Sequence, residues 1–121
     1  MNFTDAAEAA MRFAGAISEG INCVGYLQTL RSAPPIVNAA DRDAWCEILA
    51  NMHAALETVR AGQASGQVQT SQPIGDDLLR TIADLHTDIA ALSPGGPLPA
   101  STFDRADAAY DAVRTNMMAG T

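Results

Sequence analysis

The chain has 121 residues, of which 14 are acidic and 7 are basic, so its formal charge at neutral pH is −7. This length fits one compact domain, and an apolar fraction of 48% is typical of a globular protein rather than a disordered one. Every positive charge is an arginine, and both halves of the chain are net acidic. The sequence therefore lacks the concentrated basic surface that binding to nucleic-acid phosphates requires, and we expect no direct nucleic-acid binding.

The sequence shows neither a membrane span nor a secretory signal. The longest apolar stretch without a charge runs over residues 20–30, whereas a bilayer span needs about 20 residues. The first residues lack the positive charge of a signal peptide, so we expect a cytoplasmic protein. In that compartment Cys23 and Cys46 are predicted to be free thiols rather than a disulfide.

The first predicted helix spans about residues 4–31. Thr4 is a favourable N-cap, and apolar residues follow at spacings of three and four. Gly20 interrupts this pattern. Either the helix breaks there, which would give five helices, or the glycine allows a neighbouring element to approach closely. Residues 21–30 are apolar on nearly every side, which predicts an enclosed helix.

Three further amphipathic helices are predicted at residues 39–61, 76–92 and 102–118. Asn38 and Ser101 are candidate N-caps, and Gly62 is a candidate stop. A flexible linker over residues 62–75 and a Pro/Gly loop over residues 93–100 separate these helices. The long linker leaves open whether the second and third helices are neighbours.

No segment alternates with the period of two that marks strands, so the predicted fold class is all-α. The whole chain, residues 1–121, is predicted to form a single domain, a small bundle of four or five helices. The side chains that we expect to be largely buried are Trp45, Leu56, Ile82, Leu85, Tyr110 and Val113.

The residue types of common catalytic and metal chemistry are isolated in this sequence. Without lysine, a P-loop and Schiff-base catalysis are ruled out. Cys46 and His53 lie about 10 Å apart along one helix, too far for a nucleophile–base hydrogen bond. We expect His53 to pair with Glu57 and His86 to be a packed, hydrogen-bonded side chain. The sequence thus predicts no enzyme, no catalytic residue, no metal and no cofactor.

Acidic side chains are the unusual surface feature. Several lie in first helical turns, where they stabilise the helix dipole, and the spacings of Arg80 with Asp84 and of Asp111 with Arg114 allow surface ion pairs. Two rows remain on the third and fourth predicted helices: Asp77, Asp84 and Asp88, and Asp104, Asp107 and Asp111. If these helices pack antiparallel, the rows become neighbours and would attract a basic protein surface. The alternative is a solvated acidic face with no partner.

Three classes of function follow from these observations. The favoured hypothesis is a protein-binding module, an inhibitor or adaptor that occupies a basic partner surface, as small acidic helical proteins of phages and mobile elements do in countering host defence. The second is a structural homo-oligomer or assembly component that packs through the first helix, which glycines mark at Gly15, Gly20 and Gly25. The third is an enzyme or cofactor carrier.

Overall fold

The structure, a computed structural model, describes residues 3–33, 35–66 and 74–115. Within these ranges, four α-helices form the fold: α1 (Phe3–Thr29), α2 (Ala39–Ala64), α3 (Asp76–Ala90) and α4 (Ala100–Val113). A single 3-10 turn, Leu30–Ser32, follows α1. The described ranges contain no β-strand, so the all-α prediction is confirmed.

Each helix packs against the next one along the chain, and α4 returns to contact α1. The ends of α2 and α3 show that this pair runs antiparallel. Arg60 Nη1, near the end of α2, lies 2.5 Å from Asp76 Oδ1 at the start of α3. Arg42 Nη1, near the start of α2, donates a hydrogen bond of 3.2 Å to the Leu92 carbonyl just beyond α3. The long linker therefore joins two neighbouring helices.

The core lies between the four helices, and α3 contributes its most regular stripe. The buried residues of α3 follow one another at intervals of three and four: Leu78, Ile82, Leu85 and Ile89. Five of the six side chains predicted to be largely buried are in the core, but Tyr110 is only partly buried. On α4 the inward position belongs to Ala109, which is fully buried. Val113 of α4 is buried as predicted, whereas Tyr110 lies at the edge of the buried stripe.

Helix α1 runs unbroken through Gly20, so of the two alternatives the break is wrong, and the described bundle has four helices. A Cβ atom at Gly20 would lie 2.6 Å from the Cβ of Met52 on α2. The glycine thus makes room for this fully buried side chain, and the close packing offsets the helix propensity that glycine loses. The predicted enclosure of residues 21–30 is wrong, because Tyr26 is 55% exposed.

Helix α2 begins as predicted and ends later. The Asp41 N–H donates to Asn38 Oδ1 at 2.7 Å, and Asn38 Nδ2 donates back to Asp41 Oδ2 at 3.0 Å, so the predicted cap is confirmed. The helix continues through Gly62 to Ala64. Gly66, with φ +79°, supplies the left-handed conformation that follows many helix ends. Residues 67–73 of the predicted flexible linker lie outside the described residues.

Helices α1 and α4 begin earlier than predicted. Thr4 lies inside α1 rather than capping it. Helix α4 begins at Ala100, and the N-cap position is held by Pro99, with φ −76° and ψ 158°. Ser101 is therefore a first-turn residue and not the cap. The predicted end of this helix, residues 116–118, lies outside the described residues.

Two loops are clasped together at one end of the bundle. The Val37 N–H donates to the Gly96 carbonyl, and the Gly95 N–H donates to the Val37 carbonyl, each at 2.8 Å. Gly95 has φ +93°, a conformation that favours glycine. The buried side chains of Val37 and Leu98 close the core at this end. The clasp fixes the turn between α3 and α4, and with it the first turn of α4.

Candidate protein-binding face

Antiparallel packing of α3 and α4 brings parts of the two predicted acidic rows together, whereas Asp104 and Asp107 lie towards Arg31, just beyond the end of α1. Near the end of α3, Asp88 Oδ2 accepts a hydrogen bond of 2.7 Å from Thr102 Oγ1 in the first turn of α4. At the opposite end, Asp77 and Asp111 line one groove of about 330 Å³. We call the surface formed by the six predicted aspartates the acidic face: Asp77, Asp84, Asp88, Asp104, Asp107 and Asp111.

One arginine of α4 lies against the α3 row. Arg105 Nη1 is 3.6 Å from Asp84 Oδ2, and its Nε is 3.8 Å from Asp88 Oδ1. Both distances exceed those of a hydrogen bond, so the attraction is between charges alone. Ala108 and Ala112 follow Arg105 at spacings of three and four, and together they form the strip of α4 that separates the rows. Arg105 thus offsets charge of the α3 row only.

A second arginine, just beyond the end of α1, contacts the α4 row. Arg31 Nη2 lies 2.6 Å from Asp107 Oδ2 and 3.7 Å from Asp104 Oδ1. Gln28 Nε2 donates to Asp107 Oδ1 at 2.9 Å. The Arg31 guanidinium also lies 5.7 Å from the centre of the Phe103 ring, within the range of a cation–π contact. The hydrogen bond from Gln28 lowers the pKa of Asp107 most, and the hydrogen bond and charge of Arg31 lower it further. Burial of the carboxylate opposes this shift in part.

The far end of the acidic face carries the third arginine. Arg80 pairs with Asp77 in the first turn of α3. The pairs that the spacing allowed, Arg80 with Asp84 and Asp111 with Arg114, are absent from the described residues. Arg80 turns back towards the start of its helix, and Asp84 lies against α4 instead. Within the described part of the chain, Asp111 makes no ion pair.

The acidic face keeps a negative balance after these contacts. Its six carboxylates are offset by three guanidinium groups, which leaves a formal charge of −3. The side chains of Asp77 and Asp104 are about four-fifths exposed, at 82% and 80%, whereas that of Asp88 is 21% exposed. The face therefore combines accessible carboxylates with others that hold the helices together.

Sequence reasoning missed the roles of Arg31 and Arg105. Arg31 lies beyond the end of α1, and its distance from Asp107 in the chain, 76 residues, gives no local signal. Arg105 had a weak signal, because it lies on the side of its helix that faces α3 once the inward stripe of α4 is known. Both roles depend on how the helices pack.

The candidate residues for catalytic and metal chemistry are two histidines and two cysteines. His53 Nδ1 lies 2.7 Å from Glu57 Oε1, which confirms the predicted pair, and His86 is half-buried. Cys23 and Cys46 are free thiols. Burial, together with a smaller effect of charge on Cys46, raises the pKa of Cys23 to about 11. Among the described residues, no three His, Cys, Asp or Glu side chains are arranged to bind one metal ion.

The outward face of α1 is the surface that self-association would use. Apart from its own helix backbone and chain neighbours, a Cβ atom at Gly15 or Gly25 would meet no described atom within 4 Å, so packing among the described residues requires neither glycine. Tyr26 is exposed on the same side of the helix. This face is almost uncharged, with Glu19 as its one charged residue between positions 14 and 29.

None of the helices in the described ranges combines the length and apolar character needed to cross a membrane. The chain matches no protein-family model, no curated protein and no solved structure.

Proposed function

We propose that the protein is a binding module that occupies a basic surface of a partner protein through its acidic face. Its action would be that of an inhibitor or an adaptor. The observation that supports this proposal is that α3 and α4 carry six aspartates, with only half of their charge offset by the chain's own arginines. Lysines and arginines on a partner would complement the remaining charge.

The physical advantage of such a face is the rate of association. An acidic surface attracts a basic one before contact, which raises the association rate constant. The two small side chains of the separating strip, Ala108 and Ala112, leave the flanking carboxylates accessible to arginines of the partner. No catalytic residue is required for this mode of action, and we propose that the protein is not an enzyme.

We also propose that the protein is encoded by a phage or another mobile element. Inhibitors encoded by phages and mobile elements act by covering a partner's surface, and they share small size, acidic balance and a helical core with this chain. We propose the cytoplasm as the compartment in which the partner is met.

The decisive experiment is affinity capture from the native host with two matched baits. The first bait replaces four exposed aspartates of the acidic face: Asp77→Asn, Asp84→Asn, Asp104→Asn and Asp111→Asn. The second removes the same amount of charge elsewhere: Glu19→Gln, Asp43→Asn, Glu47→Gln and Glu57→Gln. A partner that the wild type and the second bait retain, and the first bait loses, supports the proposal. A partner retained equally by both baits would place the interface elsewhere.

A second candidate function is self-assembly through the outward face of α1. Gly15 and Gly25 favour it, because each costs up to about 1 kcal/mol of helix stability relative to alanine without serving packing among the described residues. Sedimentation or light scattering over a wide range of protein concentration tests this candidate. A mass that stays at one protomer at all concentrations would reject it.

A further inference from the structure

We draw no further inference here: the strongest candidate, the groove that Arg31, Leu98 and Phe103 line between the turn after α1 and the first turn of α4, carries nothing because nothing in the structure shows what would occupy it.

Discussion

Thr102 donates a hydrogen bond of 2.7 Å to Asp88 across the interface of α4 and α3. The hydroxyl is fully buried, and the carboxylate is partly exposed. One aspartate of the acidic face therefore has a structural role, because it supplies the acceptor that a buried hydroxyl requires. Asp88 contributes both to the surface charge and to the stability of the fold. Mutational tests of binding therefore have to treat it separately from the exposed aspartates.

Thr102→Val should lower the free energy of unfolding by about 1–2 kcal/mol, because it removes the donor and keeps the shape of the side chain. Urea unfolding measures the change. Thr87→Val is the matched control, since the Thr87 hydroxyl is exposed and bonds only to the Ala83 carbonyl of its own helix. We expect that variant to stay within about 0.5 kcal/mol of the wild type. Equal effects of the two changes would refute the structural role of Thr102.

Gly20→Ala should destabilise the protein, whereas Gly25→Ala should stabilise it. A Cβ atom at Gly20 would overlap the Cβ and Cγ atoms of Met52, and overpacking of this kind costs about 1–3 kcal/mol. At Gly25 the added methyl group meets open space, so the gain in helix propensity, up to about 1 kcal/mol, remains. Thermal unfolding should show shifts of opposite sign. A higher melting temperature for Gly20→Ala would mean that α1 and α2 do not pack closely at this point.

The contrast between α3 and α4 shows what sequence patterns can and cannot reveal. The inward stripe of α3 was predictable, because large apolar residues occur there at regular spacing and nothing competes with them. On α4 the buried positions include Thr102, Ala106 and Ala109, which are small or polar, so the larger Tyr110 gave a misleading signal. Small residues face inward where neighbouring helices lie close, and that closeness depends on the whole bundle.

The acidic face was predictable only in part. The two rows of aspartates follow from helical spacing, and the short connection between α3 and α4 suggested their antiparallel packing. The arginines that offset them could not be assigned, because Arg31 reaches Asp107 across helices that are distant in sequence. The clasp of Val37 with Gly95 and Gly96 was likewise hidden, since pairing between two loops has no periodic pattern.

Stability should fall as the pH rises from about 9 to about 11, and Cys23 should account for part of this loss. Burial raises the pKa of Cys23 from 9.0 to about 11, so between these values the folded state holds a proton that the unfolded chain releases. The stabilisation is complete below pH 9.0 and is lost as the pH approaches the folded value. Its size is of the order of 2 kcal/mol.

Cys23→Ala provides the control for this pH dependence, because other groups also titrate in the same range. Urea unfolding of both proteins at several pH values should give a shallower decrease for the variant. Parallel curves would show that the thiol does not contribute. Cys23 should also react slowly with alkylating reagents at pH 8, since only a small fraction of its thiol is in the reactive thiolate form at that pH.

The stability of the protein should be unaffected by chelators and by reductants. Cys23, Cys46, His53 and His86 have no ligand-like spacing in the sequence, and both cysteines are free. Melting curves with and without EDTA or dithiothreitol test this directly. A large decrease in melting temperature with either reagent would reveal a structural metal or a disulfide.

Loss of charge from the acidic face should slow association with a basic partner and leave the fold intact. The four changes Asp77→Asn, Asp84→Asn, Asp104→Asn and Asp111→Asn remove exposed carboxylates and spare Asp88 and Asp107, which make the firm contacts to Thr102 and Arg31. Exposed ion pairs contribute little to stability, so unfolding curves should match those of the wild type. Stopped-flow or surface-based kinetics with an identified partner should show a lower association rate constant for the variant.

The effect of salt completes this prediction, because charges on a surface are screened beyond about 8 Å at physiological ionic strength. The wild type should lose association rate steeply as salt rises, and the difference from the variant should shrink at high salt. The variant that removes Glu19, Asp43, Glu47 and Glu57 carries the same net charge and should keep most of the wild-type rate and salt dependence. If both variants slow association equally, only the net charge matters, and the partner does not dock on the acidic face of α3 and α4.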